Sequence, residues 1–173
     1  DRFELIKRGA EEIITDGELK KLLEENKHPS AYIGYAPTGR LHVGHLIPLL
    51  KVADFLKAGF KFKFLIANLH AHLDDRKSPW ELLDARSVYY QEMVQSVLRA
   101  MKVDISNLTF VKGSDFQTNT EYSLDVLRMS SLTTLSRTKR AASEVVRFGK
   151  EPKMGGFIYP LMQIEDCVAL DID

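Results

Sequence analysis

The sequence predicts an α/β protein, a doubly wound parallel sheet with flanking helices and a helical insertion. Two observations predict it. Three apolar, strand-like runs (Tyr32-Ile33, Phe60–Ala67 and Asn107–Val111) are separated by longer runs whose apolar residues recur at threes and fours. Strands alternating with helices in this way are expected to form a parallel sheet joined by right-handed crossovers. The first run also ends in a turn, Ala36-Pro37-Thr38-Gly39, and passes through His42-Val43-Gly44-His45 into an amphipathic stretch. A strand, a tight loop and a helix start in that order place a nucleotide site at the carboxyl edge of a parallel sheet. Composition agrees: 173 residues, 45% hydrophobic and 28% charged, suffice for one domain with a sizeable core.

Taken in order, residues 1–28 read as a helical N-terminal segment. Its polar helices carry Phe3, Leu5 and Ile6, then Ile13, Ile14, Leu19, Leu22 and Leu23 on their apolar side, with Asp16 as a cap of the second. The helix start after the first strand offers unpaired N–H groups and partial positive charge to phosphates. His42 and His45, three apart, fall on one face of its opening turn. Gly44, having no Cβ, lets a flat nucleotide lie close to the backbone. Leu46, Leu49, Leu50, Ala53 and Leu56 then mark one buried stripe, with Pro48 in the first turn and Gly59 at the end.

After the second strand, residues 68–75 read as a loop holding His70, His72, Asp74 and Asp75. Two histidines two apart share no helix face and no third ligand has an obvious position, so no metal site is expected. Ser78-Pro79-Trp80-Glu81 reads as a capping box opening a helix that buries Leu83, Tyr90, Val94, Val97, Leu98 and Met101. The third strand runs into Gly113-Ser114-Asp115-Phe116-Gln117, and residues 121–155 form the insertion, with two helices over 121–150. In the last stretch Pro160 marks a helix start. Tyr159, Gln163 and Asp166 then form a polar stripe on a helix otherwise apolar, which predicts a buried helix turning that stripe to an interior cavity.

Lys+Arg and Asp+Glu number 24 each, so no global field draws the chain to nucleic acid or membrane. An RNA contact must then come from a local patch. Residues 137–153 offer one: Arg137, Lys139, Arg140, Arg147, Lys150 and Lys153 against Glu144 and Glu151. Cys167 is the only cysteine, which excludes an internal disulfide and a cysteine-based zinc site and suits a reducing cytoplasm. No signal peptide is seen, nor an apolar run long enough to cross a bilayer, so no membrane partner is expected.

Residues 31–45, AYIGYAPTGRLHVGH, resemble the first signature of class I aminoacyl-tRNA synthetases, in the form carried by archaeal and eukaryotic tyrosyl-tRNA synthetases. The likeness continues: LIANLHAHLDD is similar to the family's LLADLHAYLD, and the YPxMQxxD motif matches at Tyr159–Asp166 without a gap. One departure is Asn68, where relatives carry Asp; a negative charge near the substrate amine is then lost or moved. The Tyr32 and Asp166 pair suits a phenol better than the indole of the neighbouring tryptophanyl enzymes.

The resemblance implies a Rossmann-like catalytic domain that activates L-tyrosine with ATP and passes the tyrosyl group to tRNA(Tyr), with Mg2+ arriving on ATP rather than in a protein cage. The tyrosine carboxylate is the nucleophile, so catalysis is positioning plus stabilisation of phosphate charge. By carry-over, His42 and His45 do that work, and Gly34, Tyr35, Ala36, Pro37, Gly39 and Gly44 join them around ATP. Tyr32, Leu65, Ala67, His70, Gln117, Tyr159, Gln163 and Asp166 surround tyrosine, with Tyr159 and Gln163 on its amine and Tyr32 and Asp166 on its hydroxyl. The resemblance also implies a cytoplasmic homodimer whose insertion approaches the tRNA acceptor end, with Arg137, Lys139 and Arg140 facing the RNA. The family's GGxDQR segment, second half of the nucleotide fold, KMSKS loop and anticodon-binding domain are not in the sequence. The chain is therefore expected to be a truncated catalytic domain and, alone, a weak catalyst. Two alternatives stand beside this reading. Small nucleotidyltransferases also use a strand followed by an H-x-G-H turn, although they give no reason for the Tyr159, Gln163 and Asp166 stripe. A non-catalytic fragment serving as an interaction module is the other.

Overall fold

The computed structural model describes residues 1–74, 77–146, 148 and 150–173; Asp75 and Arg147, named above, lie outside the described residues. Three strands, Ser30–Tyr35 (β1), Lys61–Ile66 (β2) and Leu108–Lys112 (β3), lie parallel in the order β1-β2-β3. Ile33 stands opposite Phe64, and Phe64 opposite Phe110. Two helices precede the sheet, Arg2–Lys7 (α1) and Asp16–Glu25 (α2). Leu46–Lys57 (α3) joins β1 to β2, and Asn68–Leu73 (α4) with Leu83–Ala100 (α5) joins β2 to β3. Thr120–Leu132 (α6), Leu135–Val145 (α7) and Met154–Ala169 (α8) follow β3.

Period-two alternation in β2 explains how both faces are used. Phe62, Phe64 and Ile66 point to one side and pack with Leu49, Val52, Ala53 and Leu56 of α3 and Val94 and Leu98 of α5. Leu65 points to the other side and packs with Ala67 and with Leu170, the residue that caps α8. The same alternation sends Ile33 and Tyr35 of β1 towards α3 and α5, and Tyr32 towards the α8 side. The candidate site therefore lies on the α8 face, at the strands' carboxyl ends.

Several local expectations are corrected. The stretch after β2 is not a loop: residues 68–73 are the helix α4. Ser78 caps nothing; it is fully buried and its hydroxyl accepts from Arg86 Nη1 at 2.9 Å. A 3-10 turn, Trp80–Leu82, leads into α5 instead. Asp16 lies inside the first turn of α2 and pairs with Lys7 at 3.4 Å, while Thr15 holds the cap position. Helix α8 begins six residues before Pro160, which sits inside it. Gly155 and Gly156 make that possible by close packing: a Cβ at 155 would stand 3.0 Å from Leu73 Cδ2, and one at 156 would stand 2.7 Å from Phe148 Cε1.

The buried face of α3 is Leu49, Val52, Ala53, Asp54 and Leu56; Leu46 and Leu50 turn outward. Asp54 tolerates burial because Arg8 donates to it at 2.6 Å. On α8 one face, including Pro160, Leu161, Met162, Glu165 and Asp166, is buried, but Gln163, Ile164, Cys167 and Val168 are exposed. The helix is thus half-buried rather than enclosed, because α4, α6 and α7 pack on one side of it.

Candidate active site

The turn after β1 is stabilised by its own histidines. His42 is the cap of a 3-10 turn, Val43–His45, and the Gly44 N–H donates to its Nδ1 at 3.1 Å. The His42 N–H donates in turn to His45 Nδ1 at 3.1 Å. The rings meet edge to face with centroids 4.2 Å apart. Two consequences follow. His42 Nδ1 accepts, so its neutral ring carries the proton on Nε2, while His45 Nδ1 lies between the His42 N–H and, at 3.3 Å, the His42 carbonyl. In both rings Nε2 is the nitrogen not used by the cap. Two of the N–H groups expected to meet phosphate are taken by the cap. Gly44 also acquires a local reason: a Cβ there would lie 3.0 Å from the His42 ring. Tyr35 stacks on Phe64, its centroid 5.4 Å away, and lies 5.7 Å from the His45 ring. Pro37 is buried, while Gly39 is exposed with open space around it.

Beside this turn lies a cavity of about 350 Å³, lined by Tyr32, Ile33, Gly34, Ala36, Leu65, Ala67, His70, Tyr159, Gln163 and Asp166. Residues from β1, β2, α4 and α8 thus converge, and seven of the eight residues expected around tyrosine line one space. Gln117, the eighth, stands behind Asp166. Gly34 and Ala36, expected around ATP, share the same lining. A larger hollow of about 1100 Å³ lies under α1 and α2, lined mainly by Ile6, Ile13, Ile14, Leu19, Leu22 and Phe55, and holds none of these residues.

The chemical centre of the cavity is Asp166, 2% exposed. Its Oδ1 accepts from Gln117 Nε2 at 2.7 Å and lies 2.8 Å from the Tyr122 hydroxyl, whose one proton it shares with the Met162 carbonyl at 2.9 Å. Burial pushes its carboxyl above the ordinary aspartate range, and those two bonds pull it partly back. Burial, with the nearby Asp166 charge, drives Tyr122 far upward, so its hydroxyl remains a donor. His70, also 2% exposed, is pushed down to about 4 by burial, against an opposing pull from the Tyr159 backbone. The ring is neutral at pH 7. Its approach to Asp166, 3.7 Å from Nε2 to Oδ2, is therefore a polar contact and not an ion pair. Gln117 Nε2 also faces His70 Nδ1 at 3.3 Å, which assigns the histidine proton to Nε2. Gln117 fits only because residue 113 is glycine: a Cβ there would lie 2.5 Å from Gln117 Oε1.

At the other end, Tyr159 is raised to about 12 by burial first and by the charges of Asp74 and Asp166 next. Asp74 is buried; its Oδ2 takes Lys77 at 2.6 Å, and its Oδ1 has no hydrogen-bond partner among the described residues. Tyr32 is raised well above the ordinary phenol range by burial first and by its 3.1 Å contact with Cys167 Sγ.

Asn68 stands outside the cavity lining. Its Oδ1 accepts from the Ser114 N–H at 2.9 Å and its Nδ2 donates to the Ser114 hydroxyl at 3.0 Å, tying the end of β2 to the end of β3. The carboxylate nearest Tyr159 in effect is Asp74. His72 Nδ1 lies 3.0 Å from the Ser78 carbonyl, and no group of three metal-binding side chains occurs among the described residues. Arg137, Lys139 and Arg140 lie exposed on α7, on a different element from those that build the cavity. Tyr122 was missed by sequence reading. It is the one buried residue of α6, and no periodicity in that helix points to it.

Residues 24–173 match the family described as tRNA synthetases class I (W and Y). Over 173 residues, all of this chain and 50% of the relative, the chain is 54% identical to a tyrosine--tRNA ligase of Haloarcula marismortui. It is 42% identical to a cytoplasmic tyrosine--tRNA ligase of Danio rerio, of which it covers 32%. A tyrosyl-tRNA synthetase of Archaeoglobus fulgidus, solved in complex with L-tyrosine, superposes with a TM-score of 0.91 at 38% identity, over 99% of this chain and 53% of that one. A tryptophanyl-tRNA synthetase of Plasmodium falciparum, 18% identical with a TM-score of 0.73, shares the fold alone. The chain spans half the length, or less, of these curated relatives. With a signature turn, a cavity and a sheet that all agree with those likenesses, the chain belongs to the class I tRNA synthetases of the W and Y group.

Proposed function

We propose that this chain carries the amino-acid activating site of a tyrosine--tRNA ligase. The carboxylate oxygen of L-tyrosine attacks the α-phosphorus of ATP, the bond to the bridging oxygen breaks, and pyrophosphate leaves with its electron pair. A hydroxyl at the 3′ end of tRNA(Tyr) then attacks the carbonyl carbon of the adenylate, forming an ester while the anhydride bond breaks and AMP leaves. The observation that carries this reading is the common lining of one cavity by Tyr32, Asp166, Tyr159 and Gln163, beside the His42–His45 turn. The tyrosine-bound relative supports it.

In this reading the substrate hydroxyl lies between Tyr32 and Asp166. Its ammonium meets Tyr159 and Gln163 in the negative field of Asp74 and Asp166. The Nε2 atoms of His42 and His45, left unused by the cap, face the charge that builds on the phosphates, where one donor is worth about 3 kcal/mol of barrier. Gly34, Ala36 and Gly39 leave the β1 edge open for the nucleotide. Mg2+ enters with ATP. Arg137, Lys139 and Arg140 face tRNA, the insertion contributes to a homodimer, and the protein works in the cytoplasm, as the names of several relatives say of those proteins. No helix among the described residues is long and apolar enough to cross a membrane.

Tyrosine-dependent exchange of pyrophosphate into ATP, measured on the full-length protein, tests the reading. Exchange is expected with tyrosine and not with phenylalanine at the same concentration. Exchange that does not depend on tyrosine would overturn it.

A further inference from the structure

The two halves of the proposed site are joined by one side chain that neither half contains. Arg86, on the second turn of α5, donates from Nη1 to the Thr38 carbonyl at 2.9 Å, in the loop between β1 and the histidine turn. The same nitrogen reaches the Lys77 carbonyl at 3.0 Å and the buried Ser78 hydroxyl at 2.9 Å. Ser78 is in turn fastened to α4, because its N–H donates to the Ala71 carbonyl at 3.0 Å and its own carbonyl meets His72 Nδ1 at 3.0 Å. Helix α4 carries His70 against Asp166. A second α5 side chain, Tyr89, accepts from the Leu41 N–H through its hydroxyl at 3.2 Å. A cavity of about 340 Å³, lined by Gly39, Arg40, Ala85, Arg86 and Tyr89, lies alongside.

We propose that Arg86 is a positioning residue for adenylation, a strut that sets the 36–41 loop against the segment following α4. This inference rests on the tyrosine and ATP reading above. The loop between β1 and the histidine turn has few bonds of its own: the Thr38 N–H to the Ala36 carbonyl at 2.8 Å is its internal tie. Its remaining geometry is imposed from α5. All three acceptors converge on one nitrogen, Nη1, whose two protons they share. A planar guanidinium holds that nitrogen at a fixed position, whereas a lysine ammonium is a point charge on a flexible stem. Small misplacements of a reacting group slow a positioned reaction steeply, so the strut acts on ATP without touching it.

Arg86→Ala, Arg86→Lys and Ser78→Ala, made in the full-length protein, test this. Single-turnover formation of tyrosyl-adenylate is followed against ATP concentration, tyrosine affinity by calorimetry, and amide hydrogen exchange over residues 36–41. Arg86→Ala is expected to raise the half-saturating ATP concentration roughly tenfold or more, with tyrosine affinity within about threefold. Arg86→Lys should recover little of it, and Ser78→Ala, which keeps the guanidinium and its Thr38 bond, should shift it in the same direction by less. Exchange over 36–41 should quicken in all three. Full rescue by lysine would mean that charge alone matters and would overturn the proposal, as would a silent Ser78→Ala. If Arg86→Ala does not fold, Ser78→Ala and Arg86→Lys decide. Should the unaltered protein form no tyrosyl-adenylate, the functional reading fails. The exchange measurement still decides the strut, and unchanged protection over 36–41 overturns it.

Discussion

His70 is kept neutral by burial, and the unfolded chain does not share that constraint. Its folded value lies near 4 and its ordinary value near 6.5, so the native state binds fewer protons between them. The stabilisation is complete above the ordinary value and is lost as pH falls towards 4. About 2 kcal/mol should disappear between pH 7 and pH 5. Asp166, raised in the native state, works in the opposite sense at more acid pH. Urea midpoints at pH 7 and pH 5 check the sign: His70→Gln should show a smaller drop than the unaltered protein. Tyr122 gives a second prediction at this scale. Tyr122→Phe removes a donor from Asp166, the carboxylate proposed to meet the substrate hydroxyl, and bonds to charged groups are worth about 1.5–3 kcal/mol. Competition between tyrosine and phenylalanine in pyrophosphate exchange should narrow by about tenfold. Phenylalanine activation itself should change little. The residues that line the cavity were legible because their types and spacing express chemistry. The residues behind them were not. Tyr122, Arg86 and Ser114 act through contacts 44 to 48 positions away in the chain, which no local pattern encodes.

The strands were legible as elements, because alternation in FKFKFLIA and its neighbours leaves few other ways to bury those side chains. Helix starts were legible only where local bonding decides them. Ser78-Pro79-Trp80-Glu81 has the letters of a capping box, but Arg86 claims the serine hydroxyl and the helix starts later. Pro160 suggested a beginning, yet the two glycines one turn earlier let α8 press against Leu73 and Phe148 and carry the proline within it. Gly156 then bears on stability more than on chain freedom. Gly156→Ala would set a methyl 2.7 Å from Phe148 Cε1, and overpacking of this kind costs about 1–3 kcal/mol. Denaturant titration should show that loss, whereas Gly39→Ala, with nothing within 4 Å, should leave the midpoint near its starting value.

Across these 173 residues charge is balanced, so the RNA contact proposed above must rest on a local patch. Neutralising Arg137, Lys139 and Arg140 together in the full-length protein should weaken tRNA(Tyr) binding. The dependence of log affinity on log salt should flatten by about two units, at roughly 0.7–0.9 for each phosphate that is no longer neutralised. Pyrophosphate exchange should survive. If affinity holds while dimers separate, the helix serves a subunit interface instead. The fold class was legible at this scale because strand and helix lengths alternate along the chain, whereas the exposure of Ile164 and Val168 on α8 was not. The same exposed side of α8 carries Cys167, the only cysteine in these 173 residues, whose sulfur stands 3.1 Å from the Tyr32 hydroxyl at the edge of the cavity. This stretch of chain thus comes with a built-in chemical reporter. A maleimide dye would label this thiol at a rate set by access along the cavity edge, and added tyrosine should slow that labelling in proportion to occupancy. Affinity could then be read from a fluorescence trace without ATP, tRNA or turnover.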